Sequence, residues 1–425
     1  MIFLISSFFI IAPILILYTS GFRYSLVTGE LKTTGVISID AEPQDATVYI
    51  NNKNVGNKQP LRLDGLAPGI YDVRISKAGY HDFNTLITLH SQETSYVKGI
   101  TLWKKNNPVQ REKIPLDLIK EVGINPSTPQ NYFFTTRDTA TTSLQIDLNT
   151  ESLPQTSIFS FPTPKNSLIS CAATKNHCTW WSSKDKKLNF VSLDDINNKL
   201  SFTATEPTWQ WSDNPKILGF LENKNTIQAV NLDYTLNTID HNSSKIWFVD
   251  SQSGFWSATN TQVETTPKNG KKITITLGNP VIQIIDANQN FALIKMSENI
   301  DIITDLNTNL TRNTIRANNF YHHQSAQNWL LWSPSEITGV SDESGQHGII
   351  YRSGEPITAV LGLEATGSIL IIQPKKIFAF NPGYFTTQEL ADFDSIKAIA
   401  TDETSRTIVI AGSKNNEPGI YTLAY

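Results

Sequence analysis

The chain has 425 residues, with 35 lysines and arginines against 39 aspartates and glutamates, and therefore a formal net charge of −4. This near-neutral balance argues against nucleic acid as a main partner, and a hydrophobic content of 39% excludes a globally disordered chain. Charged residues make up 17% of the chain, below the roughly 25% of an average soluble protein, which is typical of a β-rich extracytoplasmic protein. At roughly 100–200 residues per domain, the length predicts two to four domains, or one small domain followed by a repeat array.

The amino terminus is strongly apolar. Met1 to Ser20 contain no charged side chain, and the first is Arg23. A helix of this length, at about 1.5 Å per residue, spans roughly the 30 Å core of a bilayer, so residues 1–22 are predicted to form a transmembrane helix. A cleaved secretory signal is the alternative, but the segment has no basic start and no A-x-A-like cleavage site. The basic residues Arg23 and Lys32 follow the helix. Because basic residues favour the cytoplasmic side of a membrane helix, they mildly favour a cytoplasmic location for the rest of the chain, opposite to that of an exported domain.

A different pattern begins at Thr33. Apolar and polar residues alternate, as at positions 36–39 and 47–50, and turn-forming clusters rich in Asn, Asp, Pro and Gly separate the alternating runs. Positions 70–77 send Val73 and Ile75 to one side and polar residues mainly to the other. Short alternating strands with frequent turns predict an antiparallel β-sandwich over residues 33–103.

The same segment resembles the PEGA domain, a small β-sandwich of bacterial and archaeal envelope proteins. The matching positions of the motif are Pro43, Ala46, Gly56, Pro60, Pro68, Gly69, Tyr71, Gly79 and Tyr80. Gln44 and Asp45 replace the Glu and Gly of the name-giving tetrapeptide, but Asp tolerates a left-handed backbone, so the turn is expected to persist. The resemblance implies an envelope-exposed interaction or spacer module without catalysis. Taken singly, the motif residues are expected to form turns or fill the sandwich.

Residues 108–425 are predicted to form a repeat array. Strand-then-turn phrases recur at intervals of about 40 residues or a multiple of them, which is the period of a four-stranded propeller blade; they contain Asp147, Asp194, Asp233 and Asp305. Eight hairpin-like units can be counted, so we predict a β-propeller of eight blades, with seven as the alternative. The phrases at 209–214 and 329–334 resemble blades of periplasmic Tol-Pal-like or WD-like propellers. Residues 109–118 are expected to supply the strand that the last unit, at 396–423, lacks.

Motifs for catalysis and metal binding are largely missing. The sequence has no H-E-x-x-H, G-x-S-x-G or C-x-x-C. The segment 362–368 resembles a phosphate loop but lacks the required lysine, and 305–309 has calcium-loop spacing but lacks the later Gly and Glu. His322 and His323 are adjacent, and neighbouring strand residues point to opposite faces. We therefore expect no catalytic residues, no bound metal and no cofactor, and interpret both loops as turns between strands.

The two cysteines and the tryptophans each have two interpretations. Cys171 and Cys178 flank a polar turn, so two strands joined there could bring them within the distance of a disulfide; two reduced, buried thiols are the alternative. The tryptophans recur at the blade interval, which favours packing between blades over a platform on which sugar rings would stack.

These observations favour a non-catalytic envelope protein. In this interpretation a single-pass helix holds the PEGA-like module, most of the chain lies outside the cytoplasm, and the propeller binds an envelope protein or a cell-wall glycan through loops on one face. The alternative is a glycan-cleaving hydrolase or lyase with dispersed carboxylates in the central depression of the propeller.

Overall fold

The protein is predominantly β-structure. The computed structural model describes residues 2–19, 21–24, 30–124, 132–137, 141–150, 153–162, 169–172, 177–182, 185–192, 199–205, 207–212, 214–241, 246–250, 254–266, 272–306, 310–363, 366–402 and 406–425. The chain divides into two compact units, of which the first is Met1–Asn106 with Tyr425 and the second is Asn107–Ala424.

The first unit begins with a helix, α1 (Ile2–Thr19), followed by the hairpin strands β1 (Phe22–Tyr24) and β2 (Leu31–Thr33). At the end of α1, the Arg23 guanidinium lies 3.7 Å from the centre of the Tyr18 ring and donates a 2.7 Å hydrogen bond to the Tyr18 carbonyl oxygen. Among the residues that the structure describes, no helix has the length and hydropathy of a membrane-crossing segment. The prediction of a transmembrane helix over residues 1–22 therefore lacks structural support.

The rest of the first unit is a β-sandwich of two sheets. Its strands are β3 (Gly35–Glu42), β4 (Thr47–Ile50), β5 (Lys53–Gly56), β6 (Leu61–Leu66), β7 (Gly69–Ser76), β8 (Phe83–Leu89) and β9 (Thr94–Thr101). One sheet has the order β6-β3-β9 and the other β5-β4-β7-β8. Val73 and Ile75 are fully buried between the sheets, as the alternation predicts, together with Ile37, Ile39 and Val48.

The prediction of an antiparallel sandwich is wrong at one pair of strands, because β3 and β9 pair in parallel. The connections β3–β4 and β8–β9 each cross from one sheet to the other and reverse the chain direction. Since β4 and β8 are both antiparallel to β7, they run in the same direction, and so must the two strands that flank them. The first and last strands of the sandwich therefore meet side by side in parallel.

The second unit contains eight four-stranded antiparallel sheets within the described residues. A single strand, β10 (Val109–Glu112), precedes them. Sheets one to four contain β11 (Ile119–Ile124), β12 (Tyr132–Arg137), β13 (Thr141–Thr150) and β14 (Leu153–Pro162); β15 (Ile169–Ala172), β16 (His177–Ser182), β17 (Lys187–Ser192) and β18 (Lys199–Thr203); β19 (Thr208–Trp211), β20 (Ile217–Asn223), β21 (Thr226–Asn231) and β22 (Leu236–His241); and β23 (Ile246–Val249), β24 (Phe255–Thr259), β25 (Gln262–Thr266) and β26 (Ile273–Thr276).

Sheets five to eight continue the same pattern. They contain β27 (Gln283–Ala287), β28 (Phe291–Lys295), β29 (Ile300–Thr304) and β30 (Thr311–Ile315); β31 (Asn319–His323), β32 (Asn328–Trp332), β33 (Glu336–Ser341) and β34 (His347–Arg352); β35 (Ala359–Gly362), β36 (Ile369–Ile372), β37 (Lys376–Asn381) and β38 (Thr386–Asp392); and β39 (Ser395–Asp402), β40 (Thr407–Lys414) and β41 (Glu417–Ala424) with β10. A short 3-10 turn, Gln324–Ala326, lies between β31 and β32. The count of eight agrees with the preferred number of repeats rather than with seven.

The first and last sheets meet, which makes the second unit propeller-like. The eighth sheet has the order β10-β41-β40-β39, so the strand at the start of the unit completes the sheet at its end. In addition, β11 of the first sheet contacts β39 and β40 of the eighth. Ile119 and Val122 from β11 share a buried core with Val409, Ala411 and Ile420 of the eighth sheet. The predicted closure of the ring by residues 109–118 is therefore present, through Val109–Glu112.

Hydrophobic cores also join neighbouring sheets along the chain. Such shared cores connect sheets two and three, three and four, four and five, five and six, and six and seven. Each fully buried aliphatic or aromatic side chain in such a core stabilises the fold by roughly 1.5–3 kcal/mol relative to exposure. From the second sheet to the seventh, the described cores thus join each sheet to the next along the chain, as expected of a radial array.

Candidate functional site

A groove of about 1100 Å³ lies between the fifth and sixth sheets of the second unit. Three connections form it: β27–β28, β29–β30 and β33–β34. Because successive strands run in opposite directions, these three connections all emerge at the same face of the unit. The lining residues are Gln289, Asn290, Thr304, Asp305, Leu306, Asn313, Glu343, Ser344, Gly345, Gln346 and His347.

Side-chain amides hold the two sheets together at the groove. The Nδ2 atom of Asn288 donates a 3.0 Å hydrogen bond to the carbonyl oxygen of Asp342. The Nδ2 atom of Asn290 donates another, also 3.0 Å, to the carbonyl oxygen of Glu343. Both bonds join the β27–β28 turn of the fifth sheet to the β33–β34 loop of the sixth. The loop is therefore held in place by the neighbouring sheet as well as by its own strands.

An aromatic and acidic network lies beside this loop. The indole Nε1 of Trp329 donates a 2.7 Å hydrogen bond to the Asp286 carboxylate of the neighbouring sheet. The His322 ring stacks on Trp329, with 4.4 Å between ring centres and 15° between planes. Its Nε2 atom lies 3.1 Å from the Asp342 carboxylate. These contacts fix the position of Asp342, where the loop begins, and give the groove a rigid support.

The groove is polar and acidic. Asp305 and Glu343 line it, whereas no lysine or arginine is among the lining residues that the structure describes. On strand β30, Arg312 is paired with the buried carboxylate of Asp301, which also accepts a 2.7 Å hydrogen bond from the Thr314 hydroxyl. The remaining lining side chains are mainly amides and hydroxyls. This arrangement can bind cationic and hydrogen-bonding groups, and it repels anions.

The residues of the PEGA-like motif lie in the first unit and shape its turns. The Ala46 amide donates a 2.9 Å hydrogen bond to the Pro43 carbonyl oxygen, so the tetrapeptide turn is formed. The turn persists, as expected, but without using a left-handed backbone at Asp45, which is not among the residues with a positive φ angle. Lys77 instead pairs with Asp45, and this hydrogen bond lowers the pKa of the Asp45 carboxyl below its usual value.

The other motif residues also have structural roles. The Tyr71 hydroxyl donates a 2.7 Å hydrogen bond to the Ala67 carbonyl oxygen, next to Pro68. Gly79 adopts a φ angle of +82°, and Tyr80 forms an isolated β-bridge with Lys104. The peptide bonds that precede Pro43 and Pro60 are cis, while Gly56 and Gly69 have φ angles of +145° and +159°.

Gln59 also supports this turn, although it lies outside it in the sequence. Its side chain is buried, its Oε1 atom accepts a hydrogen bond from the Ala41 amide, and its Nε2 atom donates a 3.3 Å bond to the Ala46 carbonyl oxygen. One amide side chain therefore joins both ends of the tetrapeptide turn. A glutamine one residue before Pro60 carries no pattern that distinguishes it from a surface glutamine.

The two cysteines face each other in the second sheet. Cys171 on β15 and Cys178 on β16 are directly opposed in the strand register. Cys178 is fully buried. The side chain of Cys171 lies outside the described residues, so the pairing of Cys171 with Cys178 stays a prediction, with which the register agrees.

All nine tryptophans lie among the described residues, and none of them is exposed. Trp180, Trp256 and Trp332 are buried in the sheets, and Trp209 packs at 4.9 Å from Phe190 and 5.2 Å from Trp211 between ring centres. This burial supports the packing interpretation of the recurring tryptophans over a sugar-stacking platform.

The structure shows where the segments considered for phosphate and metal binding lie. The segment 362–368 joins β35 to β36, as expected of a turn, although residues 364–365 lie outside the described ones. In the segment 305–309, residues 307–309 also lie outside them, while Asp305 lines the groove. His322 belongs to the network beside Asp342, whereas His323 is fully buried. Within the described ranges, no group of three or more His, Cys, Asp or Glu residues is placed to hold a metal ion.

Residues 34–104 match the family model of the PEGA domain. No curated protein matches the chain. Among solved structures, the C-terminal WD40 domain of Sif2 is similar over 75% of this chain and 99% of its own, with 13% sequence identity and a TM-score of 0.47. Hsv2 of Kluyveromyces lactis is similar over 64% of this chain and 97% of its own, with 10% identity and a TM-score of 0.40. The propeller-like architecture of the second unit rests on its strand order and shared cores.

Proposed function

We propose that this protein is a membrane-anchored, non-catalytic component of the cell envelope whose propeller-like unit binds a polypeptide partner. The PEGA domain at residues 34–104 serves as a spacer or interaction module between the anchor and the binding unit. The bulk of the chain lies outside the cytoplasm. The observation that carries the proposal is the acidic, amide-lined groove between the fifth and sixth sheets.

The groove fits a polypeptide better than a glycan. Sugar rings usually stack on aromatic faces, but within the described part of the chain no Trp, Tyr or Phe lines the groove. Asp305 and Glu343 can pair with lysine or arginine, and the amide side chains of Gln289, Asn313 and Gln346 can bond to a peptide backbone. We therefore propose that the partner presents an extended segment with at least one basic side chain.

The test combines two substitutions in the groove. The purified full-length protein in detergent is titrated with a library of extended peptides of varied charge and with soluble fragments of envelope polysaccharide. Basic peptides are expected to bind, more weakly as the salt concentration rises, because exposed charges are screened. The double variant Asp305→Asn, Glu343→Gln is expected to lose about tenfold in affinity, since both cation-pairing groups are removed.

The matched control is Glu298→Gln. Glu298 is exposed and lies in the β28–β29 connection, at the opposite face of the same sheet, so its loss should leave peptide affinity unchanged. The proposal is contradicted if basic peptides do not bind and if polysaccharide fragments bind equally well to the wild type and to the double variant. Mass spectrometry of the incubated fragments tests the alternative enzyme, because cleavage products contradict the non-catalytic part of the proposal.

Membrane attachment by residues 1–22 is part of the same proposal, and it rests on the uncharged sequence from Met1 to Ser20. In α1, the described side chains of Phe8, Phe9 and Ile16 are each more than 60% exposed, although such apolar groups gain free energy when removed from water. An apolar environment that the isolated chain does not supply would cover them.

The anchor has its own test. The full-length protein is expected to stay with membranes after alkaline extraction, whereas a shortened protein that starts at Lys32 should be released into the supernatant. Recovery of the full-length product as a soluble species cleaved after about residue 20 contradicts the anchor and favours the signal-peptide alternative.

A further inference from the structure

The sandwich of the first unit has one edge strand without the usual protection. Exposed edges are normally blocked by charged side chains, by proline or by irregular backbone. The edge strand β6 carries the exposed ion pair Arg62–Asp64, β9 carries Lys98 and a register shift, and β5 is only four residues long with a shift of its own. In contrast, β8 has seven residues, with neither charge nor proline nor a register shift against β7.

The hydrogen bonds of β7 show which backbone groups of β8 point outward. The amide and the carbonyl oxygen of Asp72 both bond to Asn51, on the side away from β8. Leu86 stands opposite Asp72, so this pair is not hydrogen-bonded and the backbone groups of Leu86 point away from the sheet. The same holds for Asn84 and Thr88, two residues on either side.

Only one of these outward groups has a partner among the described residues. The Ser95 hydroxyl donates a 3.0 Å hydrogen bond to the Thr88 carbonyl oxygen, which can accept a second bond. The outward backbone groups of Asn84 and Leu86 remain available. The Leu86 side chain is 71% exposed, and Ile70, its diagonal neighbour on β7, is 69% exposed. An accessible backbone edge and an accessible apolar stripe thus coincide.

We propose that two copies of this chain pair along β8, antiparallel and about a two-fold axis, with Leu86 opposite Leu86 of the second copy. In this register the backbone N–H and C=O of Leu86 both bond to Leu86 of the second copy, and Asn84 stands opposite Thr88 of the second copy. The two four-stranded sheets then form one continuous sheet. The apolar stripe of Leu86 and Ile70 continues across the axis, so these side chains become partly covered.

A second copy fits this edge because the strand is complementary to itself. The outward-facing side chains Asn84, Leu86 and Thr88 give a polar–apolar–polar pattern that reads the same in both directions. A two-fold axis at Leu86 therefore aligns polar with polar and apolar with apolar, and it aligns every outward backbone group with a complementary one. No charge on β8 opposes its like across the axis.

Two substitutions at Leu86 test the pairing, each with the equally exposed Ile70 as its control. The mass of the full-length protein in detergent is measured by sedimentation over a range of concentrations. Leu86→Lys is expected to raise the dimer dissociation constant by about tenfold or more, since it places like charges face to face. Ile70→Lys, one strand further from the edge, should have a much smaller effect.

The second experiment is oxidative cross-linking. Directly opposed, hydrogen-bonded residues of an antiparallel pair lie about 5.5 Å apart between Cα atoms, within the range of a disulfide. Leu86→Cys is therefore expected to form a covalent dimer, and Ile70→Cys is not. A wild-type protein that is monomeric at every concentration, a dimer that Leu86→Lys leaves intact, or equal cross-linking of the two cysteine variants each overturns the proposal.

Discussion

Replacing Gly419 by alanine is expected to lower the melting temperature of the second unit by roughly 1–5 °C, which corresponds to about 1–3 kcal/mol of overpacking. A Cβ atom at Gly419 would overlap the carbonyl oxygen of Glu112 and lie 2.9 Å from Nε2 of Gln110. Both atoms belong to β10, the strand that closes the ring. Because the obstacle includes backbone, β10 must move away from β41 to accommodate one methyl group.

Gly348→Ala is the matched control, since a Cβ atom there has no neighbour within 4 Å. Replacing residues 109–112 by a glycine and serine sequence of the same length should destabilise the unit further, because it also removes the bond between Arg111 and the Thr422 hydroxyl. Melting is followed by calorimetry. If both changes leave the main transition of the second unit where it is in the wild type, closure through β10 does not contribute to stability.

Gly345→Ala is expected to destabilise the second unit by about 2–4 kcal/mol, the sum of backbone strain and overpacking. Gly345 has a φ angle of +70°, and a Cβ atom there would lie 2.7 Å from Cγ2 of Thr304 and 2.8 Å from Cβ of Phe291. These two residues belong to the neighbouring sheet, and Phe291 is fully buried. The added methyl group therefore pushes the β33–β34 loop away from the fifth sheet and widens the groove.

Gly367→Ala separates the two causes of this effect. Gly367 has a φ angle of +89°, but a Cβ atom there meets nothing within 4 Å, so its replacement adds strain without overlap and should cost only about 1–2 kcal/mol. Hydrogen exchange measures the effect on the loop, and residues 342–346 should exchange faster in Gly345→Ala alone. Equal losses of stability and equal exchange in the two variants contradict the close approach of the loop to the fifth sheet.

Local patterns in the sequence were enough to predict most of the architecture. The alternation around Val73 and Ile75 placed both side chains in the core, because side chains of a strand alternate between its two faces. The period of about 40 residues predicted eight four-stranded units, since each blade repeats the same local signals. The missing strand of the last unit pointed to the segment after residue 108, because an open array leaves an unpaired edge.

Other features were decided only by the tertiary structure. The parallel pairing of β3 with β9 depends on two connections that cross between sheets, and no local pattern encodes it. The tetrapeptide turn is held by Gln59, and not by a left-handed residue at Asp45, because a buried amide can satisfy backbone groups on both sides of the turn.

The groove illustrates the same limit. From the sequence, Asp305 was compared with a calcium loop and predicted to lie in a turn, and Glu343 carried no signal at all. They line one groove because the antiparallel strands of two neighbouring sheets bring three distant connections to the same face. The sequence by itself determined that these strands and turns exist, since those depend on residues close along the chain. Which turns meet depends on how the sheets pack, and the side chains that control this packing are distant in sequence.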